Sequence, residues 1–472
     1  MLRRSTAPLA GGGSCRGGAG GRSVRALIVG GGEVGSTLAA RLSRAGHDVV
    51  VVEQAAAKLA ALADRLDVQT VAGNGTTVDT LRRAGIEACD ILFACTSSDE
   101  ANMVTALVGS AVFRVPRVVA RLRDPDHEAS FRVLAERLPG EHLCLNPDIA
   151  AVNKILSLLP VPGAVDVASF LDGRLFIAGF PIAASSELAG LLLSHLKLLF
   201  PAAPVLAVAI RRGEQWLIPH GSDEIRAGDQ VYLALDPAEL ENVLGLLHAR
   251  RGQERSVHVA GATRIGLALA QQLETSLFNV TIFDEDEGRC ANAAALLSRA
   301  TVIRGSATDS ERLEEEGVGR VAAFVAVSDN PQLNVVAALL ARRLGAARAF
   351  ALVDDPVLSA LVGELGIDAV ISPRLLTVGL AVQFFRRGKV RAAAALMEDV
   401  IEIVEVEVPE RGRLTRAPLA ELGLPRGALV AAILRGGRLI VPRGEDALLP
   451  GDRTLLITTT ERAVMLDQFL VA

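Results

Sequence analysis

From residue 24 onward, solidly apolar runs alternate with amphipathic stretches. ALIVG (26–30) reads as a strand buried on both faces. Residues 33–45 place Val34, Leu38 and Leu42 on one helical face. DVVVVE (48–53) predicts the next strand and AAAKLAALADRL (55–66) the next helix; VQTVAG (68–73), ILFACT (91–96) and VVARL (118–122) predict three more strands with helices between them. This alternation is that of a doubly wound parallel sheet with right-handed crossovers. Ser97 and Glu100 have capping-box spacing at the start of the helix after ILFACT. DIAAVNKILSLL (148–159) predicts an amphipathic helix leading out of the sheet. Beyond it the pattern changes to short strands, VLAVAI (205–210) and QVYLAL (230–235), the second preceded by a Gly228-Asp229 turn. This predicts a small α+β lobe.

The whole pattern then recurs. ALIVGGGEVGSTLAARL (26–42) matches VHVAGATRIGLALAQQL (257–273), and the stretch 73–102 matches 305–334. The tail 209–235 matches 432–458, with LVAAIL (429–434), RTLLIT (453–458) and a Gly451-Asp452 turn. A two-part module is therefore used twice. The expected divisions are an N-terminal extension (1–23), a first sheet lobe (24–147), a linker helix and small lobe (148–248), a second sheet lobe (256–375), and a second linker helix and small lobe (376–472). The polar, charged stretch ARRGQERS (249–256) suits the boundary between modules.

Composition narrows the function. The 472 residues carry 54 acidic and 49 basic side chains, a net charge of −5, and only 3% aromatics. That excludes no fold, but it leaves neither the basic excess nor the stacking platforms of a nucleic-acid binder. Mean hydropathy is high, +0.36. The most apolar stretch, 188–210, is interrupted by His195, Lys197, Pro201 and Pro204, so it reads as helix, turn and strand rather than a membrane span. Residues 1–23 are Arg-, Gly- and Ser-rich without an apolar segment, and read as a disordered extension rather than a secretory signal. The five cysteines are widely spaced and the seven histidines scattered, which predicts a reduced cytoplasmic protein with no metal centre and no catalytic triad.

The candidate chemistry lies in Gly30-x-Gly32-x-x-Gly35, between a strand and a helix. Gly30 permits the tight turn, Gly32 lets a pyrophosphate approach the backbone, and Gly35 lets the helix pack on the strand. The helix N-terminus then offers N–H groups and partial positive charge to phosphate. Glu53, at the end of the second strand, is placed to accept both hydroxyls of an adenosine ribose and to repel a 2′-phosphate, which favours NAD over NADP. The second copy keeps Gly261, Gly266 and the acid, Asp284, but Thr263 replaces the middle glycine and crowds the pyrophosphate position. Either a weakened second site or a sheet retained for packing fits that pattern.

The ordered set VGGGEVG (29–35), Glu53, GNGTT (73–77), TSSDEAN (96–102) and ARLRDP (120–125), followed by the small lobe and largely repeated, resembles the tandem RCK (regulator of K⁺ conductance) family. Within it, the likeness is to the peripheral NAD-binding subunits of Trk-type potassium-uptake systems, and it covers all but the extension. The resemblance implies two Rossmann-like RCK N-lobes, each followed by a small α+β RCK C-lobe. By position it implies nucleotide contacts at Gly30, Gly31, Gly32, Glu33, Val34 and Gly35, at Glu53, at Thr96 and Ser97, and at Arg121. The corresponding second-copy positions are Gly261, Ala262, Thr263, Arg264, Ile265 and Asp284; Ser328, Asp329 and Leu352 stand for Thr96, Ser97 and Arg121. Plainer roles stand beside these: Thr96 and Ser97 as a helix start, Arg121 in a pair with Asp124.

The resemblance further implies NAD or NADH as ligand, with ATP or ADP competing. It implies a homotetrameric ring on the cytoplasmic face of the inner membrane, and a membrane-embedded Trk-type potassium transporter subunit as partner. Such a protein is a regulator, not an enzyme. Two alternatives remain at this point: an NAD-dependent oxidoreductase, and the gating ring of a potassium channel.

Overall fold

The computed structural model describes residues 24–200, 205–213, 215–248, 255–355, 358–359, 365–385, 390–396, 401–410, 412–425, 427–459 and 462; the extension 1–23 and most of the linker 249–256 lie outside the described residues. Four sheets follow one another along the chain. In the first lobe β1 (Arg25–Val29), β2 (Asp48–Glu53), β3 (Gln69–Ala72), β4 (Ile91–Ala94), β5 (Arg117–Arg121) and β6 (Glu141–Leu145) form a parallel sheet in the order β3-β2-β1-β4-β5-β6. Leu27, Ile28, Val50, Val51, Leu92 and Phe93 are fully buried, because helices cover both faces of the central strands. The predicted strands β1 to β5 are all present. β6 was not predicted: it lies at the sheet edge, and its sequence EHLCL is polar enough to hide the pattern.

The first small lobe is a five-stranded sheet of β7 (Asp166–Phe170), β8 (Leu175–Pro181), β9 (Val205–Arg212), β10 (Gln215–Leu217) and β11 (Gln230–Leu235), in the order β10-β9-β11-β8-β7 and antiparallel throughout. The second module repeats both. β12 (Ser256–Ala260), β13 (Asn279–Asp284), β14 (Thr301–Arg304), β15 (Ala323–Ala326), β16 (Ala349–Leu352) and β17 (Ala369–Ile371) form the parallel order β14-β13-β12-β15-β16-β17. β18 (Val390–Leu396), β19 (Ile401–Glu407), β20 (Ala428–Arg435), β21 (Arg438–Ile440) and β22 (Arg453–Thr459) form the antiparallel order β18-β19-β22-β20-β21. The two Gly-Asp turns do more than turn the chain. Asp229 receives a two-pronged bond from Arg212 (2.8 and 2.7 Å), and Asp452 the same from Arg435 (2.9 and 2.7 Å).

The modules are joined by exchange. The helix Pro147–Leu158 leaves the first sheet and buries Ala151, Val152 and Ile155 in one core with Leu269, Ala270 and Leu273 of the second lobe. Its counterpart Pro373–Phe385 buries Val378, Ala381, Phe384 and Phe385 in the first lobe's core, beside Leu38, Leu42 and Phe93. Each helix end is held by an arginine of the lobe it visits. Arg117 donates to the Phe385 carbonyl, and Arg348 donates to the carbonyls of Leu158 (2.5 Å) and Ala164 (2.7 Å). The small lobes also share a core, with Ile177 and Tyr232 packed among Ile403 and Leu455. Among the described residues no helix is long and apolar enough to cross a membrane.

Candidate nucleotide site

The first glycine loop runs from β1 into the helix Glu33–Arg44. Gly30 has φ +107°, and a Cβ there would meet the Cys95 carbonyl and the Thr96 nitrogen at 2.9 Å. A Cβ on Gly35 would lie 1.8 Å from the Gly30 oxygen, so this glycine lets the helix seat on the loop. Gly31 also faces protein, with Leu62 and Glu53 at 3.1 and 3.3 Å. Gly32 is different. Its φ is −72°, which any residue adopts, and among the described residues no atom beyond its own chain neighbours lies within 4 Å of the Cβ position. Nothing inside the protein requires glycine there.

Glu53 closes the loop from the other side. Its Oε2 accepts from Gly31 N–H (2.7 Å), and its Oε1 from the N–H groups of Gln54 (2.8 Å) and Ala55 (3.0 Å). Burial opposes the charge, but these donors and Lys58 outweigh it and hold the carboxyl below its usual range. Loop and acid flank a cleft of about 350 Å³ that Gly30, Gly32, Glu53, Lys58, Thr96 and Ser97 line, with the Gly73–Thr76 turn as its far wall. Apart from Lys58, on the helix Ala56–Arg65, these groups lie at the carboxyl ends of β1 to β4, where open α/β sheets bind ligands. Glu33, Val34 and Arg121 line an adjoining pocket of about 170 Å³ instead.

Two residues correct the sequence reading. The cap of the helix Asp99–Ala111 is Ser98, which accepts from Ala101 N–H at 3.1 Å. The predicted capping box at Ser97 is thus one residue early, and Ser97 lines the cleft instead. Asn102, the last residue of the TSSDEAN run, is fully buried. Its Oδ1 accepts from Thr96 N–H (2.8 Å) and lies 2.7 Å from the Thr96 hydroxyl, while its Nδ2 donates to the carbonyls of Thr96 (3.1 Å) and Arg121 (2.8 Å). It therefore fixes the ends of β4 and β5 together. The repeat carried the signal: Asn334 makes the same bonds to Ser328 and Leu352. Arg121 Nη1 donates to the Thr96 carbonyl at 3.1 Å, while Asp124 accepts from the N–H groups of Asp126 (2.9 Å) and His127 (3.2 Å).

The second loop has the same frame. Gly261 has φ +109°, and Asp284 accepts from the N–H groups of Ala262 (2.8 Å) and Asp286 (2.9 Å). Thr263 fills the place of Gly32: its hydroxyl donates to the Val327 carbonyl (2.8 Å) and accepts from Gly266 N–H (3.3 Å). Ile265 is buried, and Arg264 turns away to Asp148 at 3.3 Å. Arg289 spans the mouth, 2.7 Å from Asp329 and 3.8 Å from Asp284.

Twin doubly wound lobes, each with a glycine loop and a strand-end acid and each followed by an antiparallel small lobe, define a protein of the tandem RCK type. The TrkA-N domain matches residues 26–137 and 257–373, and the TrkA-C domain matches 177–248 and 403–470. The chain belongs to the TrkA family. It is 32% identical over 450 residues to a Trk system potassium uptake protein TrkA of Azorhizobium caulinodans, covering 94% of this chain and 98% of the relative. It is 29% identical to that of Halomonas elongata, covering 93% and 97%. Among solved structures it resembles the GsuK RCK domain (TM-score 0.60, 20% identity, 95% of each chain) and the GsuK channel bound to NAD (TM-score 0.59, 19% identity, 95% and 79%). That likeness shows a shared fold.

Proposed function

We propose that this chain is the nucleotide-responsive regulatory subunit of a Trk-type potassium-uptake system. Gly32 is the observation that carries the reading. It is a glycine without an internal reason, at the N-terminus of a long helix and on the wall of an open cleft. A diphosphate approaching that backbone supplies the reason. In this reading residues 24–147 form the loaded N-lobe, 148–248 its linker helix and C-lobe, and 256–375 and 376–472 a second, self-filled pair. Glu53 keeps one Oε2 lone pair for a ribose hydroxyl while bracing the loop, and its charge disfavours a 2′-phosphate, so NAD, NADH, ADP and ATP are the ligands.

Ligand binding shifts the angle between lobes by favouring one arrangement over another. In a homotetrameric ring at the cytoplasmic face of a membrane transporter, that shift gates potassium flow. The TrkA relatives and the NAD-bound state of the GsuK channel support this reading. A regulator also suits the cleft better than an oxidoreductase. Its thiol, Cys95, is buried and pushed up to about 12, and its charged lining residues Glu53 and Lys58 sit together beside β2, at the ribose end. Calorimetry with NADH, NAD, ADP and ATP tests the proposal. Binding that Glu53→Ala abolishes is expected; a melting temperature indifferent to all four nucleotides would overturn it.

A further inference from the structure

The 170 Å³ pocket beside the cleft is built by both modules. Three helix N-termini converge on it: those of Glu33–Arg44, Pro147–Leu158 and Pro373–Phe385. Each brings partial positive charge. Arg121 and Arg123 enter from the first module and Arg374 from the second. The Nε of each is buried without a hydrogen-bond partner. The three guanidinium groups concentrate positive charge around one small pocket, which favours an anionic ligand there.

The acidic groups nearby are engaged. Asp354 accepts from Ser372 Oγ (2.6 Å) and Arg374 N–H (3.2 Å), and its carbonyl takes Arg374 Nη2 (2.6 Å). Asp148 lies between Arg264 (3.3 Å) and Arg123 (3.9 Å). Glu33 is on the exposed rim. Gly32 and Ser97 line both the cleft and this pocket, so a phosphate chain starting at the glycine loop runs into it.

We infer that this inter-module pocket is the subsite for the free terminal phosphate of a nucleoside di- or triphosphate, and that Arg374 determines that specificity. The inference rests on the cleft reading above and deepens it. The two phosphates of NAD are both esterified and offer no terminal dianion, whereas ADP and ATP end in one. Arg374 opens the helix whose far end is packed in the first lobe's core, so a phosphate held there touches both modules at once.

The test is calorimetry on the full chain with ADP, ATP, AMP, NAD and inorganic pyrophosphate, comparing wild type with Arg374→Gln, Arg374→Lys and Glu53→Ala. Arg374→Gln is expected to weaken ADP and ATP about tenfold or more and to leave AMP and NAD within about twofold. Arg374→Lys, which keeps charge but not the planar fork, recovers part of the loss. Pyrophosphate is expected to compete with ATP in wild type and to lose binding with Arg374→Gln. Equal weakening of ATP, AMP and NAD would mark Arg374 as merely structural and overturn the inference, as would ATP binding indifferent to the substitution. Pyrophosphate that binds through Arg374 without competing with ATP would reassign the pocket to free anions and overturn the nucleotide assignment. NAD binding that needs Glu53 while ATP ignores Arg374 sinks the subsite alone. Binding of pyrophosphate through Arg374 in a protein that binds no nucleotide sinks the cleft reading and the assignment with it.

Discussion

Gly31 donates its backbone N–H to Oε2 of Glu53 at 2.7 Å, so the glycine loop and the strand-end acid are one mechanical unit. The acid that would grip a ribose also sets the position of the loop that would cradle the phosphates. Replacing it disturbs both. Glu53→Gln swaps an acceptor oxygen for a donor nitrogen, leaving one of the three N–H groups facing another donor. Nucleotide affinity is expected to fall about tenfold or more, measured by calorimetry. Because the carboxyl is held below its usual range, its contribution is complete above the ordinary carboxylate pKa and is lost only as pH falls below it. Glu53 therefore contributes no change in affinity between pH 6 and 8.

Gly32→Thr imitates the second module, where Thr263 caps its own helix. The free protein has room for the side chain. The variant is expected to melt at or slightly above the wild-type temperature, because a capping threonine matches or improves on glycine, and to lose nucleotide binding. A variant that still binds would show that Gly32 does not lie against the ligand.

His258 lies in the middle of β12, almost fully buried against Phe283, and burial lowers its pKa from 6.5 to about 4. The unfolded chain takes up the proton first as pH drops. Stability is then complete above pH 6.5 and is lost as pH falls toward 4, by about 3 kcal/mol at about 1.4 kcal/mol per pH unit. Leu27 occupies the matching position in β1. His258→Leu is expected to flatten that part of the pH–stability curve in denaturant titrations from pH 7 to 4.5.

Arg348 ties the end of the exchanged helix to the second lobe, its guanidinium 4.6 Å from the centre of the Phe350 ring. Arg348→Met leaves the Ala164 carbonyl without its donor and the Leu158 carbonyl with only the Val161 N–H (3.1 Å). A loss of about 3 kcal/mol is expected, seen as a lower denaturant midpoint. Arg117→Met removes the matching tie to Phe385 at a more exposed position and is expected to cost less.

The strands, the repeat, the glycine loop and its acid were legible because each is a local pattern: unbroken apolar runs for strands, period 3.6 for helices, or a motif closed within a few dozen positions. β6 was hidden because an edge strand needs apolar residues on fewer sides. Asn102 was hidden because its partners are backbone groups of two other segments, which no residue type announces.

What the sequence by itself determined is a pair of like modules and the chemistry of one loop, since periodicity and spacing are written in neighbouring residues. Which module each linker helix packs against was decided only in three dimensions. The two lobes offer similar apolar faces, and a helix that leaves one sheet can bury its stripe on either. The exchange brings Arg374 to within one pocket of Gly32, and Asp148 to Arg264, because burial of matched surfaces, not closeness in the chain, sets long-range contacts.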